Sequence, residues 1–556
     1  MALLGGALAI PQAQRLGMPW DIKTLRQPGE IKHRVRAILS GLTSRPLPGD
    51  DMRPIANVDV PPLGVNTFFE QEVDEATVRR SMEMIRSAGF QWIRQQFAWY
   101  EIERPAKAQY VDSASGRSSW EKYDRIINLA SEYGLRVMVR IDTVPEWARP
   151  AGSTFTFPPN NVQDYGDFVR TLATRYRGKV HYYQLWNEPN LTFEWGNQNV
   201  SASAFVPLLK AGYGAAKAAD PQAVVIAPAL APTIDRGPVN RNDTLFLSEM
   251  YEAGAKDYFD VMSTMAYGLL SGPDDRRVDP FWQVNFSRAQ LLRQIMIENG
   301  DAAKPIWFSE LAWNALPTSF TDQPLYGHVS EDQQARYTVR GLLRIRDEWT
   351  WAGPSFIWFF RRPTDSEKSQ QFYYFRLVEP DFTTLPVYDA IRQAAPSLNV
   401  MRRGWHAPTS FAVTRTGEWA ETPGTMPGLH AETAETPGSM PGLHAEEMGA
   451  VLNFTFAGSD LSIVASGPAR LYVEVASSRL AHDRQGRAYV DIPAGQTQIE
   501  LVRGLPDGVH PATITMGSGQ MTIASIIVDR HERFPAALLW AAAIYIVVWA
   551  ALWRGR

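Results

Sequence analysis

Cysteine is absent from all 556 residues. That absence removes disulfides, thiolate zinc sites and a cysteine nucleophile. It leaves an extracellular location open, because a large domain folds without disulfides. Net charge is also scarce: 55 Lys and Arg against 59 Asp and Glu leave −4, and nothing suggests a nucleic-acid partner. No glycine-rich phosphate turn follows the first apolar run, "LGVNTF" at 63, which weakens a doubly wound open sheet. No convincing ligand cluster is present, so neither metal nor cofactor is expected. Aromatics are plentiful, at 11% with 18 Trp, in a chain that is 45% hydrophobic. Such a chain buries several hundred residues of core and is expected to hold more than one domain. Tryptophan faces stack on sugars and bases, but large cores use them too, so composition alone decides nothing.

Residues 1–57 are polar, basic and punctuated by proline, and read as a leader or juxtamembrane arm. Over 58–398 short apolar runs alternate with amphipathic helical stretches. The runs are "LGVNTF", "WIRQQF", "RVMVRID", "VHYYQLW", "AVVIAPA", "FDVMSTMAY", "PIWFSEL" and "SFIWFF". Continuous apolar runs are the mark of buried parallel strands, and several helical stretches end in Gly, a usual C-cap. Eight such units predict an α/β fold, a (β/α)8 TIM barrel with long loops. A linker is expected over 399–448, where "AETPGTMPGLHAET" recurs as "AETPGSMPGLHAEE". Short alternating strands over 449–530 predict an all-β sandwich.

Residues 534–553, "FPAALLWAAAIYIVVWAALW", carry no charge and are bracketed by Arg533 and Arg554. Twenty residues span roughly 30 Å as a helix, the hydrocarbon thickness of a bilayer. A C-terminal transmembrane helix is therefore expected, with the short basic tail in the cytoplasm and the rest of the chain outside. "MALLGGALAI" at the start is a partial fit to an export signal, apolar but without a preceding basic residue.

In such a barrel, residues at the C-terminal ends of strands face the active site. The fourth run, in "YYQLWNEPNL", ends in Glu188, and the seventh ends in Glu310. Strands four and seven lie nearly opposite each other, so the two carboxylates can converge over the mouth. Two facing carboxylates are what glycosidic bond cleavage requires: one attacks the anomeric carbon and the other protonates the leaving oxygen. Taken singly, each Glu also reads as a solvated loop carboxylate.

"WNEPN" on strand four with "IWFSELAW" on strand seven resembles clan A of the glycoside hydrolases, nearest to the family 39 β-xylosidase and exopolysaccharide-endoglycosidase-like enzymes, over about 63–395. The resemblance implies that Glu188 is the general acid/base and Glu310 the nucleophile. It implies that Asn187 hydrogen-bonds the sugar 2-hydroxyl and that Arg94 sits beside the nucleophile, where a structural ion pair is the plainer alternative. Tyr267 ends strand six and is a candidate to orient Glu310. Trp358 is a candidate platform in the −1 subsite, and Trp99, Trp147, Trp195 and Trp313 are candidates for further subsites, each equally at home as packing. Met265 stands where many relatives carry His, and Ser309 and Ala312 replace their Thr and Gly. These changes bear on substrate preference and leave both carboxylates in place. The sandwich resembles the jelly-roll modules appended to sugar-active enzymes, and either binds carbohydrate or acts as a spacer. The expectation is a membrane-anchored retaining glycoside hydrolase acting on extracellular poly- or oligosaccharide. Its rivals are a non-catalytic glycan-binding protein on the same barrel and a transglycosylase.

Overall fold

The computed structural model describes residues 52–72, 74–422, 441–476 and 480–530. Eight parallel strands close into a barrel: β1 Leu63–Thr67, β2 Trp92–Ala98, β3 Arg136–Asp142, β4 Tyr182–Leu185, β5 Val224–Leu230, β6 Val261–Tyr267, β7 Ile306–Ala312 and β8 Ala352–Ile357. Closure is by β1 on β8, with Leu63 opposite Ser355 and Val65 opposite Ile357, which removes the open-sheet alternative. A helix follows each strand: α1 Glu75–Ser87, α2 Glu121–Glu132, α3 Val162–Arg175, α4 Ala202–Ala219, α5 Asp243–Glu252, α6 Ala289–Glu298, α7 Glu331–Glu348 and α8 Pro386–Leu398.

Local chemistry starts these helices where they start. Asp74, Asn161, Ser201 and Asn242 each accept a backbone N–H of the first turn, and Ser330 and Gln333 cap α7 reciprocally. Gly134 and Gly254 follow α2 and α5 with φ of 64° and 80°, the left-handed turn that ends a helix without a Cβ clash.

Strand eight begins three residues earlier than the run "SFIWFF" suggests. Gly353 and Pro354 read as strand breakers in sequence. In the barrel, a Cβ at Gly353 would lie 2.0 Å from the Trp307 indole, so the strand admits only glycine there. Trp358 consequently follows the strand tip and does not lie within the strand.

The barrel interior is filled in layers. Its lower end is an apolar plug of Trp92, Met138, Ile226, Val261, Trp307 and Phe356, with the Trp92 and Trp307 rings edge-on at 5.4 Å. The segment before β1 closes this end: Pro61 O accepts the Trp92 indole N–H and Asn57 O that of Trp307. Successive strand residues point to opposite faces. Two residues above Trp92 the inward position is therefore Arg94, and the interior changes from apolar to polar.

The β region is two sheets. One runs Val413–Thr416, Val451–Gly458, Gly508–Gly519, Ala469–Val475, Ala488–Ile492 and Ala481–His482; the other runs Ala420–Thr422, Gly442–Ala445, Met521–Asp529, Asp460–Ser466 and Thr497–Val502, with Gly404–His406 also on Met521–Asp529. Four of these strands lie in the stretch read as linker. They are three or four residues long, too short for alternation to show, and exist because longer strands template them. The repeat falls largely on 423–440, outside the described residues. A polar clasp joins sandwich and barrel: Asp59 accepts the Ala407 N–H and the Ser410 hydroxyl and lies 2.8 Å from His406 Nδ1.

No described helix is long and apolar enough to cross a membrane. The expected transmembrane helix, 534–553, and most of the N-terminal arm lie outside the described residues.

Candidate active site

Strand four stops at Leu185 because the next residues leave extended geometry. Trp186 and Glu188 both have positive φ, 73° and 42°. Such conformations are rare for side chains of this size and persist where surrounding bonds hold them. Here the Trp186 N–H donates to Ile141 O at 2.9 Å and the Glu188 N–H to Ala229 O at 2.9 Å. Asn190 is buried and bonds Ala231 through both its backbone groups, with Nδ2 also reaching Arg241 O. The turn lifts Glu188 into the mouth of the barrel, half-buried, with Asn187 beneath it.

Glu310, near the tip of β7, is 4% exposed. The Arg94 Nη1 donates to its Oε1 at 2.9 Å, and the Tyr267 hydroxyl donates to its Oε2. Arg94 is 2% exposed and each of its three nitrogens is bonded: Nη1 also reaches Asn66 Oδ1, Nη2 reaches Asn187 Oδ1 and Nε reaches Gln184 Oε1, each at 2.8 Å. Gln184 in turn donates to Ser263 Oγ at 2.7 Å, and Asn66 donates to Ser309 O at 3.0 Å. One guanidinium thus ties β1, β2, β4 and β7 together and neutralises a carboxylate on the far side of the mouth from Glu188.

The two carboxylates are held in different environments. Burial, then the charges of Glu194 and Glu310, push the Glu188 carboxyl well above the usual range. Burial lowers Arg94 to about 10, with Glu310 acting against the drop, so it stays protonated at neutral pH. Burial and the facing Glu310 push the Tyr267 phenol far up, and it remains a donor. A protonated acid facing a paired carboxylate is the asymmetry that acid/base and nucleophile roles require.

The aromatic candidates separate by burial. Trp358 is part-buried, edge-on to Phe68 at 5.6 Å, and stands with Tyr267, Phe372 and Phe375 at the strand tips. Trp147 is part-buried, its indole N–H on Glu103 O at 2.9 Å. Trp99 and Trp313 have no exposure and Trp195 has 2%. Trp99 is stacked on Phe168, Trp313 on Phe286, and Trp195 packs edge-on to Trp186. With no open ring face, these three are core and not subsite platforms.

Sequence reasoning did not single out Glu194, Arg140, Asp142, Asn66 or Gln184. Arg140 Nε lies 2.7 Å from Asp142 Oδ2 at the tip of β3, and Asp142 also accepts Gln96 Nε2 at 2.6 Å. A signal was present for these: polar and charged residues at alternate positions of otherwise apolar strands. Glu194 carries no such mark, since it lies in the loop after β4. Among the described residues, no group of three or more His, Asp and Glu is placed to hold a metal.

Residues 56–246 match the family model "Cellulase (glycosyl hydrolase family 5)". Together with the closed eight-stranded barrel, the match supports a glycoside hydrolase of the clan A type. Among individual proteins, it is 25% identical over 154 residues to "Beta-glucosidase-like SFR2, chloroplastic" of Oryza sativa subsp. japonica, covering 27% of this chain and 21% of that one. The match thus spans about a fifth of that protein's length. Among solved structures, a family 39 glycoside hydrolase from Bacteroides cellulosilyticus WH2 is 19% identical, with 84% of this chain and 83% of that one covered and a TM-score of 0.48. A monomeric β-xylosidase from Caulobacter crescentus CB15 is 14% identical, with 85% and 98% covered and a TM-score of 0.45.

Proposed function

We propose that this protein is a retaining glycosidase that cleaves O-glycosidic bonds of an extracellular poly- or oligosaccharide by double displacement. The observation that carries the reading is the asymmetry of the carboxylate pair: Glu310 is paired with Arg94 and Tyr267, while Glu188 is pushed toward its protonated form. In the first step a Glu310 oxygen bonds to the anomeric carbon as the glycosidic bond breaks, and Glu188 gives its proton to the leaving oxygen. In the second, Glu188 takes a proton from water, whose oxygen displaces Glu310 and leaves the anomeric configuration as it began. Asn187, its carbonyl oxygen fixed by Arg94, gives an Nδ2 N–H to the 2-hydroxyl when the bound sugar replaces its long contacts to the neighbouring carboxylates. Trp358 and Trp147 offer faces for sugar rings.

Glu188→Gln and Glu310→Gln should each abolish hydrolysis across a panel of aryl glycosides and polysaccharides. Glu310→Ala should regain turnover with azide and release a product of inverted configuration. Azide rescue of Glu188→Ala with a product of inverted configuration, and none of Glu310→Ala, would reverse the roles. Binding of a glycan by the wild type without turnover would favour the binding-protein rival, and transfer to an added sugar acceptor the transglycosylase.

The membrane reading rests on the uncharged run 534–553. Arg530, the last described residue, is held on Asp347 near the end of α7, at 3.1 Å. Helices run antiparallel to the strands, so this is the face opposite the mouth. An anchor starting at 534 would leave the active site pointing away from the bilayer. Fractionation and protease protection of the intact protein test this; catalytic domain recovered in the cytoplasm refutes it.

A further inference from the structure

The hydrolytic steps leave one carboxylate in the mouth unused. Glu194 lies on the short helical turn Thr192–Trp195, directly after the turn that presents Glu188. Its backbone carbonyl accepts the Trp186 indole N–H at 3.1 Å, which ties the two turns together. Its Oε1 lies 3.5 Å from Asn187 Nδ2, and the same nitrogen lies 3.4 Å from Glu188 Oε2. One amide, with two N–H groups, is shared between two carboxylates. We propose that Glu194 is a positioning residue of the reaction: its charge keeps the proton on Glu188, and its contact with Asn187 aims the amide at the substrate.

The groups around the pair bear this out element by element. From β3 come Arg140 and Asp142, and because these two are ion-paired the cation is divided between Asp142 and Glu194. From β2 comes Arg94, already spent on Glu310 from β7. Tyr267 ends β6, and Tyr326, in the loop after β7, has its phenol raised by burial and by the charges of Glu188 and Glu310. Burial pushes Glu194 itself up to about 7, against the pull of Arg140. Both carboxyls are thus raised, and once one has ionised the other holds its proton more tightly.

The inference rests on the hydrolase reading, and its test separates the two. The alkaline limb of kcat/KM reports loss of the essential proton from the free enzyme. Glu194→Gln keeps shape and polarity but removes a charge whose oxygen is, through the shared amide, no more than about 7 Å from Glu188. At an effective dielectric of about 20 that charge is worth about one pH unit or more, so the limb should move at least that far toward acid. The experiment uses the intact protein and an aryl glycoside with a poor leaving group, on wild type, Glu194→Gln and Glu194→Asp. Glu194→Asp, which restores charge, should fall closer to wild type. Superimposable limbs, or a loss by the same factor at every pH, would overturn the proposal. A second measurement needs no turnover: the carboxyl carbon of Glu188, assigned by its disappearance in Glu188→Gln, is titrated by carbon-13 NMR. An unchanged midpoint in Glu194→Gln overturns the coupling. A wild type inert on every glycoside would count against the hydrolase reading and leave the NMR titration to judge Glu194.

Discussion

Replacing Arg94 with Met removes a guanidinium that holds four acceptors at once. Glu310 Oε1, Asn66 Oδ1, Asn187 Oδ1 and Gln184 Oε1 all lose a donor at 2.8–2.9 Å, inside a site where Arg94 is 2% exposed. Removing one partner of a buried ion pair costs about 3–5 kcal/mol, because the remaining charge is uncompensated. The three neutral oxygens add about 1 kcal/mol each where water cannot replace the donor. Allowing for relaxation, the expected loss is about 5 kcal/mol, a large share of the 5–15 kcal/mol that holds a folded protein together. Most of it should come from the stranded carboxylate. Adding Glu310→Gln should therefore return about 2 kcal/mol or more, giving a clear coupling energy in the double-mutant cycle. Arg94→Lys keeps the charge but loses the planar fork, and should fall between. The assay is denaturant unfolding of the intact protein followed by tryptophan fluorescence, with constant slope as the check that only stability changed. A loss under about 1 kcal/mol for Arg94→Met, or strict additivity with Glu310→Gln, would refute the reasoning that this ion pair organises the mouth.

Tyr267→Phe deletes a hydroxyl that donates to Glu310; a hydrogen bond to a charged group is worth about 1.5–3 kcal/mol, so the thermal midpoint should drop and kcat/KM should fall by up to roughly 100-fold where the bond persists in the transition state. Trp358→Ala should raise KM and spare stability, whereas Trp313→Ala should cost about 3–5 kcal/mol of stability through the cavity it leaves; the reverse pattern would put the sugar platform in the wrong place. Because the Glu188 carboxyl is raised in the folded state, the native protein keeps a proton that the unfolded chain gives up from about pH 4.5 upward, so stability falls as pH rises through that window. Glu188→Gln should accordingly be more stable than wild type at pH 8 and match it near pH 4, as read by thermal midpoints; equal differences at both pH values would contradict the raised carboxyl.

Much of the architecture was legible in the sequence, because buried parallel strands announce themselves as apolar runs and amphipathic helices by capped, Gly-ended periods. Where strand character came from context, the reading slipped. Strand eight starts at Ala352, ahead of the run "SFIWFF", because the Trp307 indole requires a glycine beside it at 353. The short strands between 404 and 445 exist only by pairing with longer ones. Glu188 and Glu310 stood out because each ends an apolar strand in a residue that a core would not choose.

By itself, then, the order of residues determined the repeating strand–helix units, the absence of thiol chemistry and the two acidic strand ends. Only the tertiary structure decided which tryptophans are buried walls, since the burial of Trp99, Trp195 and Trp313 is set by the neighbours that cover them. It alone brought Arg94 to Asn66, Gln184, Asn187 and Glu310, residues up to 216 positions apart along the chain. The reason is physical: burial and electrostatic environment belong to the space around a side chain, and barrel closure sets that space, while local sequence sets only the direction in which the side chain leaves its strand.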